Sequence, residues 1–169
     1  MFSLKVFVSL LLICLASNAR SQSATASANA FATIVTPMTI AKNQDLNFGN
    51  LDVQAIHGGI VILSPEGTRS ASNGVSLPSS SGIVTAADFT VMGSSAATFS
   101  IELPANVILT HSNGTQNMTA SSFTSTPSST GVLTGGSQHI KIGATLTVGA
   151  GQLPGVYSSQ PFEVTVNYN

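Results

Sequence analysis

Three histidines, six carboxylates and abundant serine are the side chains of this sequence that could do chemistry. A hydrolytic serine needs a histidine base and a strained turn that exposes its hydroxyl. No serine lies in G-x-S-x-G, and no S-x-x-K occurs with its partner motifs. His57 and His111 fall in turn-like stretches, and His139 takes an outward position beside Lys141, so all three read as solvated surface residues. No pair has a spacing such as H-x-x-x-H that would hold a metal on one element. Asp45, Asp52, Glu66, Asp88, Glu102 and Glu163 stand singly, so a glycosidase pair would have to be assembled by the fold. Asp45 and Asp52 flank a short strand and could join backbone carbonyls around calcium, but solvated carboxylates are the simpler account. No Gly-rich phosphate loop enters a helix. The sequence therefore assigns no catalytic, cofactor-binding or metal-binding residue, and the expectation is a protein that is not an enzyme and carries no cofactor.

Composition narrows the classes further. Of the 169 residues only 7% are charged and the formal net charge is -1, against about 25% charged in ordinary domains. Ser and Thr replace charge and make up a quarter of the chain. A nucleic-acid binder needs a basic stripe to neutralise phosphates, and a polybasic membrane-surface protein needs clustered Lys and Arg; neither is present. An apolar content of 43% is too high for disorder.

The N-terminus carries the pattern of an export signal. Lys5 supplies the positive region, Val6 to Leu15 the apolar stretch, and Ser17-Asn18-Ala19 the small residues that a signal peptidase reads. Residues 1–19 are expected to be removed, with Ala19 the last to go. The apolar run is shorter than the roughly 20 residues of a spanning helix, so no transmembrane segment is expected in the mature chain. Cys14 is the only cysteine, and it follows the bulky Ile13 where a lipoprotein cysteine wants a small neighbour. The mature chain then has no disulfide, and its core alone must hold it.

The elements that would position any site read as strands. Period-two alternation recurs between turn signals, and no helical spacing persists over three turns. In Ile140 to Val148, Ile140, Ile142, Ala144, Leu146 and Val148 share one face. Phe162, Val164, Val166 and Tyr168 do the same at the C-terminus, as do Phe99 and Ile101, Phe89 and Val91, and Leu46 and Phe48. Ile60-Val61-Ile62-Leu63 reads as a strand covered on both faces. Ser64-Pro65-Glu66-Gly67 is a tight turn, Asn113-Gly114 and Asn73-Gly74 carry the hairpin dipeptide, and Pro154-Gly155 closes the loop before the last strand. Asn113-Gly114-Thr115 and Asn117-Met118-Thr119 also match the N-glycosylation acceptor, which matters only where that machinery exists. Residues Ser76 to Gly82 and Ser121 to Gly136 read as loops. The expected fold is all-β, an antiparallel β-sandwich of immunoglobulin-like or pilin-like type, as one domain over residues 34–169. Residues 20–33 form a small-residue arm in which Ala24, Ala26, Ala28, Ala30 and Ala32 fall on one alternating face with Ile34. Such a strand buries little surface, which suits an edge strand, a flexible lead or a segment paired with another molecule.

Four stretches together resemble an uncharacterised family of exported bacterial β-proteins, a domain-of-unknown-function family. They are Leu46-Asn47-Phe48-Gly49-Asn50, Gly59 to Arg69 with its Ser-Pro-Glu-Gly-Thr-Arg ending, Phe99 to Pro104, and Gly155-Val156-Tyr157 with Phe162 to Asn169. The resemblance covers about Ala24 to Asn169 and implies a bacterial cell-surface or secreted β-protein with no catalytic residues to carry over. More remotely, Leu46 to Gly49, Gly155, Tyr157 and Val164 to Val166 resemble the spore coat protein U and archaic chaperone-usher pilin group, whose members often carry cysteines that this mature chain lacks.

The expected function is a non-enzymatic structural or adhesive protein of the cell surface or the extracellular space, a pilus-like subunit, with the periplasm as a further location. Its expected partners are other copies of itself or other surface proteins. A monomeric secreted binding module, for example for glycans, is the alternative, disfavoured by the absence of Trp and the scarcity of Tyr. A small outer-membrane β-barrel is a third reading, disfavoured by the missing aromatic girdles.

Overall fold

The computed structural model describes residues 22–169. The expected signal peptide, and with it Cys14, lies outside the described residues. Residues 22–34 run without a strand and are exposed throughout. Residues 35–169 form a compact unit of their own.

Among the described residues there are thirteen strands and no helix. They are β1 (Thr39–Gln44), β2 (Asp52–Val53), β3 (Gly59–Leu63), β4 (Arg69–Asn73), β5 (Val75–Ser76), β6 (Ala87–Met92), β7 (Thr98–Glu102), β8 (Asn106–His111), β9 (Asn117–Thr126), β10 (Thr130–Val132), β11 (Ser137–Val148), β12 (Tyr157–Ser158) and β13 (Thr165–Tyr168). The large sheet runs β1-β6-β11-β9-β8-β12, with β3 joining β11 and carrying β4 on its outer side. A second sheet runs β10-β7-β13, and β2 pairs β5. All pairings are antiparallel. The chain is thus an all-β, sandwich-like protein, as its periodicity requires.

The organising element is β11. Its residues 141–147 pair β9 along one edge. Along the other edge Ser137–Ile142 pairs β6, and Ala144–Val148 pairs β3. Gly143 sits where one partner ends and the next begins. A side chain there would run into the backbone of Leu63, Ser64 and Pro65, so only glycine lets the end of β3 pass so closely. The inward face of β11 serves two cores. Ile140 and Ile142 pack with Val91, Phe99, Ile101 and Leu133 between the two sheets. Ala144, Leu146 and Val148 pack with Phe48, Val61, Leu63, Met118 and Ala120. Phe123 and Leu46 touch both clusters.

Local chemistry explains the connections. Gly67 donates to the Ser64 carbonyl at 2.9 Å and has φ +84°, closing the β3–β4 hairpin with Pro65 in its first corner. The Asn113-Gly114 turn joins β8 to β9 as expected, with Gly114 at φ +77°. Asn73-Gly74, by contrast, does not fold its two flanking strands onto each other: it turns β4 into β5, which pairs β2 instead.

Two further expectations are corrected. β3 is covered on one face only, since Val61 and Leu63 are buried while Ile62 is 45% exposed. Ser121 to Gly136 is not loop: it holds the second half of β9 and all of β10. Thr and Ser on the outer face of a strand have the same composition as a polar loop. A β-bulge hides the alternation as well, because Ser122 (φ 49°) and Phe123 together oppose the single residue Ala144.

Truncating the spine should therefore cost more than any surface change. Ile142→Ala is expected to lower unfolding free energy by about 2 to 5 kcal/mol in urea denaturation. Thr147→Ala, on the outer face of the same strand, should stay within about 0.5 kcal/mol of wild type. Equal losses would contradict the role given to β11.

Candidate functional site

Two of the sequence motifs meet at one clasp. After β1 the chain passes through Leu46 to Asn50, where Asn47 and Thr85 exchange backbone hydrogen bonds at 2.8 and 3.0 Å. Gly49, at φ +70°, donates to Asn47 Oδ1 at 2.9 Å and reverses the chain. The reversal aims carbonyls at the first residue of β4. Arg69 Nη1 donates to the carbonyls of Phe48 and, at 2.9 Å, of Asn50. Its Nη2 reaches the Ser81 carbonyl at 3.3 Å. Asn50 secures the same loop, donating from its backbone N–H to Ser81 O at 2.8 Å and from Nδ2 to Ser80 O at 3.0 Å. A guanidinium offers five donors in a fixed fork. Here it is committed to backbone oxygens and holds together segments far apart in sequence, which makes the clasp structural. The adjoining Glu66 carboxyl is held below its usual range, chiefly by the Ser64 hydroxyl and also by backbone and Thr126 hydrogen bonds.

A second polar cluster lies at the end of β8. His111 is 8% exposed, which corrects its reading as a solvated surface residue. Its Nδ1 accepts the Asn113 N–H at 3.1 Å, leaving Nε2 to donate to the Pro154 carbonyl at 3.2 Å. That arrangement requires the neutral imidazole with its proton on Nε2. The ring stands edge-on to Tyr157, with centroids 4.8 Å apart. The Tyr157 hydroxyl lies 2.8 to 3.0 Å from Gln116 Oε1, Gln152 Oε1 and the Leu153 carbonyl, and shares one proton among three acceptors. Burial raises its pKa above 10.0. The cluster clips the Pro154-Gly155 loop and β12 onto β8.

The remaining titratable residues are dispersed. His57 is exposed in a loop. His139 lies 3.1 Å from Asp88 on the solvent side. Asp45 pairs with Lys42 at 2.7 Å, both well exposed. No group of three or more His, Cys, Asp or Glu that could hold a metal occurs among the described residues. Glu102 and Glu163 are brought to a common concavity. This is an open groove of about 960 Å³ between β8 and the segment Ser158–Glu163, walled also by Leu103, Pro104 and His111. Nothing in the sequence pattern pointed to it, because its walls lie some fifty residues apart.

The family model described as "Domain of unknown function (DUF4402)" matches residues 38–168. The chain belongs to that family. No curated protein and no solved structure gives a significant match. The match begins just before β1 and ends at the last residue of β13, so the DUF4402 domain coincides with the strands described above. Within it, the Leu-Asn-Phe-Gly-Asn and Ser-Pro-Glu-Gly-Thr-Arg stretches meet at the Arg69 clasp, and the Gly155-Val156-Tyr157 stretch meets His111.

Both clusters can be tested. Arg69→Lys keeps the charge but not the fork. It should lower unfolding free energy by about 1 to 3 kcal/mol and speed amide exchange around Asn50 and Ser81; unchanged stability would contradict the clasp. Because the Tyr157 pKa is raised in the fold, its contribution is complete below pH 10.0 and is lost as pH rises through the folded value. Tyr157→Phe should cost about 0.5 to 1.5 kcal/mol at neutral pH, and the gap to wild type should shrink in alkaline denaturation series. A gap independent of pH would refute it.

Proposed function

We propose that this DUF4402 protein is an exported, non-enzymatic structural or adhesive component of the bacterial cell surface, a pilus-like subunit that associates through its strand edges. The observation that carries the reading is the arm. Residues 22–34 are free of strand and exposed, with Phe31 at 91% and Ile34 at 99% exposure. Alternating alanines give the arm a strand-compatible pattern with small side chains, the form that can add to an open sheet edge through main-chain hydrogen bonds. The export pattern in residues 1–19 supports a location where such assembly would occur. The likeness of Leu46 to Gly49 and of Gly155, Tyr157 and Val164 to Val166 to the archaic pilin group supports a subunit role.

Deleting Ser21 to Ile34 is expected to abolish assemblies of the secreted protein while residues 35–169 keep a cooperative unfolding transition. Electron microscopy and sedimentation would read the first, denaturation the second. Assemblies unchanged by the deletion would overturn the proposal.

A further inference from the structure

Of the open edges of this sandwich, that of β8 borders a groove. β1 carries Lys42, a side chain of the kind that discourages edge pairing. β4 has no charge beyond Arg69 and β10 has none, but neither lines the groove of about 960 Å³. β13 is tied at its end to the segment entering β1, where the Tyr168 hydroxyl donates to the Thr36 carbonyl at 2.9 Å. β8 differs. On the side away from β9 it is paired only at Thr110 and His111, by β12, after which the chain turns away. Among the described residues, Asn106-Val107-Ile108-Leu109 has no strand partner on that side, no charge and no proline, and Ile108 is 58% exposed. The ladder started by β12 thus stops two residues in, and the 960 Å³ groove lies along the stretch that it leaves open.

We propose that this edge, with its groove, is the docking site for the N-terminal arm of a second copy of the chain, which adds as a strand beside Asn106–Leu109. The inference rests on reading the arm as an intermolecular strand, and it names the surface that takes it. Charge favours this occupant. The charged side chains lining the groove are Glu102 and Glu163, both acidic. The arm's only charged side chain is Arg20, and removal of residues 1–19 adds a positive α-amino group at the same end. Reach is sufficient, since the fifteen residues from Arg20 to Ile34 extend to roughly 50 Å at about 3.3 Å per residue.

The test is disulfide trapping, made clean because the mature chain has no cysteine. Chains bearing Ala26→Cys, Ala28→Cys or Ala30→Cys in the arm are mixed with chains bearing Ile108→Cys or, as a second probe of the same edge, Asn106→Cys. Side chains on neighbouring strands stand about 4.5 to 5.5 Å apart at Cβ, close enough for a disulfide after small adjustment. Cross-linked heterodimers are expected to form several-fold faster with these β8 cysteines than with Ser72→Cys on β4 or Asn167→Cys on β13. The rate should fall with added salt and with Glu102→Lys plus Glu163→Lys. Faster trapping at Ser72 or Asn167 would overturn the β8 site while leaving arm exchange standing. No trapping at any edge, with assemblies unchanged by arm deletion, would overturn both.

Discussion

Everything in this fold leans on a single strand face. Ile140, Ile142, Ala144, Leu146 and Val148 point the same way along β11, and each is buried. A twelve-residue strand is long for a domain of this size, since strands usually run about five or six. Its length lets one face fill two adjoining cores, and lets one edge hold β6 and then β3. With no cysteine in residues 20–169 and few charges, this apolar continuity holds the domain without a disulfide. Gly143 is the condition for it, because the strand can change partners only where no side chain obstructs the departing backbone.

The motifs that carry the family resemblance serve the same end. Leu46 and Phe48 enter the core, Gly49 reverses the chain, and Arg69 gathers carbonyls from Phe48, Asn50 and Ser81. Tyr157 and His111 fasten the Pro154-Gly155 loop. These residues build and close the sandwich. The outer strand faces carry many Ser, Thr and Asn, and the outer strands of the sheets lack a partner on one side among the described residues.

How much of this was legible in the sequence depended on whether local pattern and final environment agree. β11, β7 and β6 announce themselves because apolar residues recur at every second position along each. The Ser64–Gly67 turn was legible because Pro and Gly are required by its geometry. β9 was not, because its inward set runs Met118, Ala120, then Phe123, Ser125: the bulge shifts the parity, and Ser and Thr conceal the rest. His111 was misread for a related reason. It precedes Ser112-Asn113-Gly114, a polar turn that reads as exposed, while the loop that covers it arrives some forty residues later. The groove was invisible for the same cause, as Glu102 and Glu163 come together only through the β7–β13 pairing, where Glu102 stands opposite Thr165.

The low charge of the chain then takes on a physical meaning. An uncharged edge costs solubility and invites pairing, and natural sheets guard against it with Lys, Pro or bulges. β1 has such a guard and Asn106–Leu109 has none, beside an acidic groove and in a chain whose sequence carries Arg20 ahead of the exposed arm. The most direct measurement of this account is amide hydrogen exchange on residues 20–169 across a range of protein concentrations. The account predicts that amides of Asn106–Leu109 and of the arm gain protection together as concentration rises, while those of β4 do not change. Exchange at β8 that is independent of concentration, in a protein that nonetheless assembles, would contradict it.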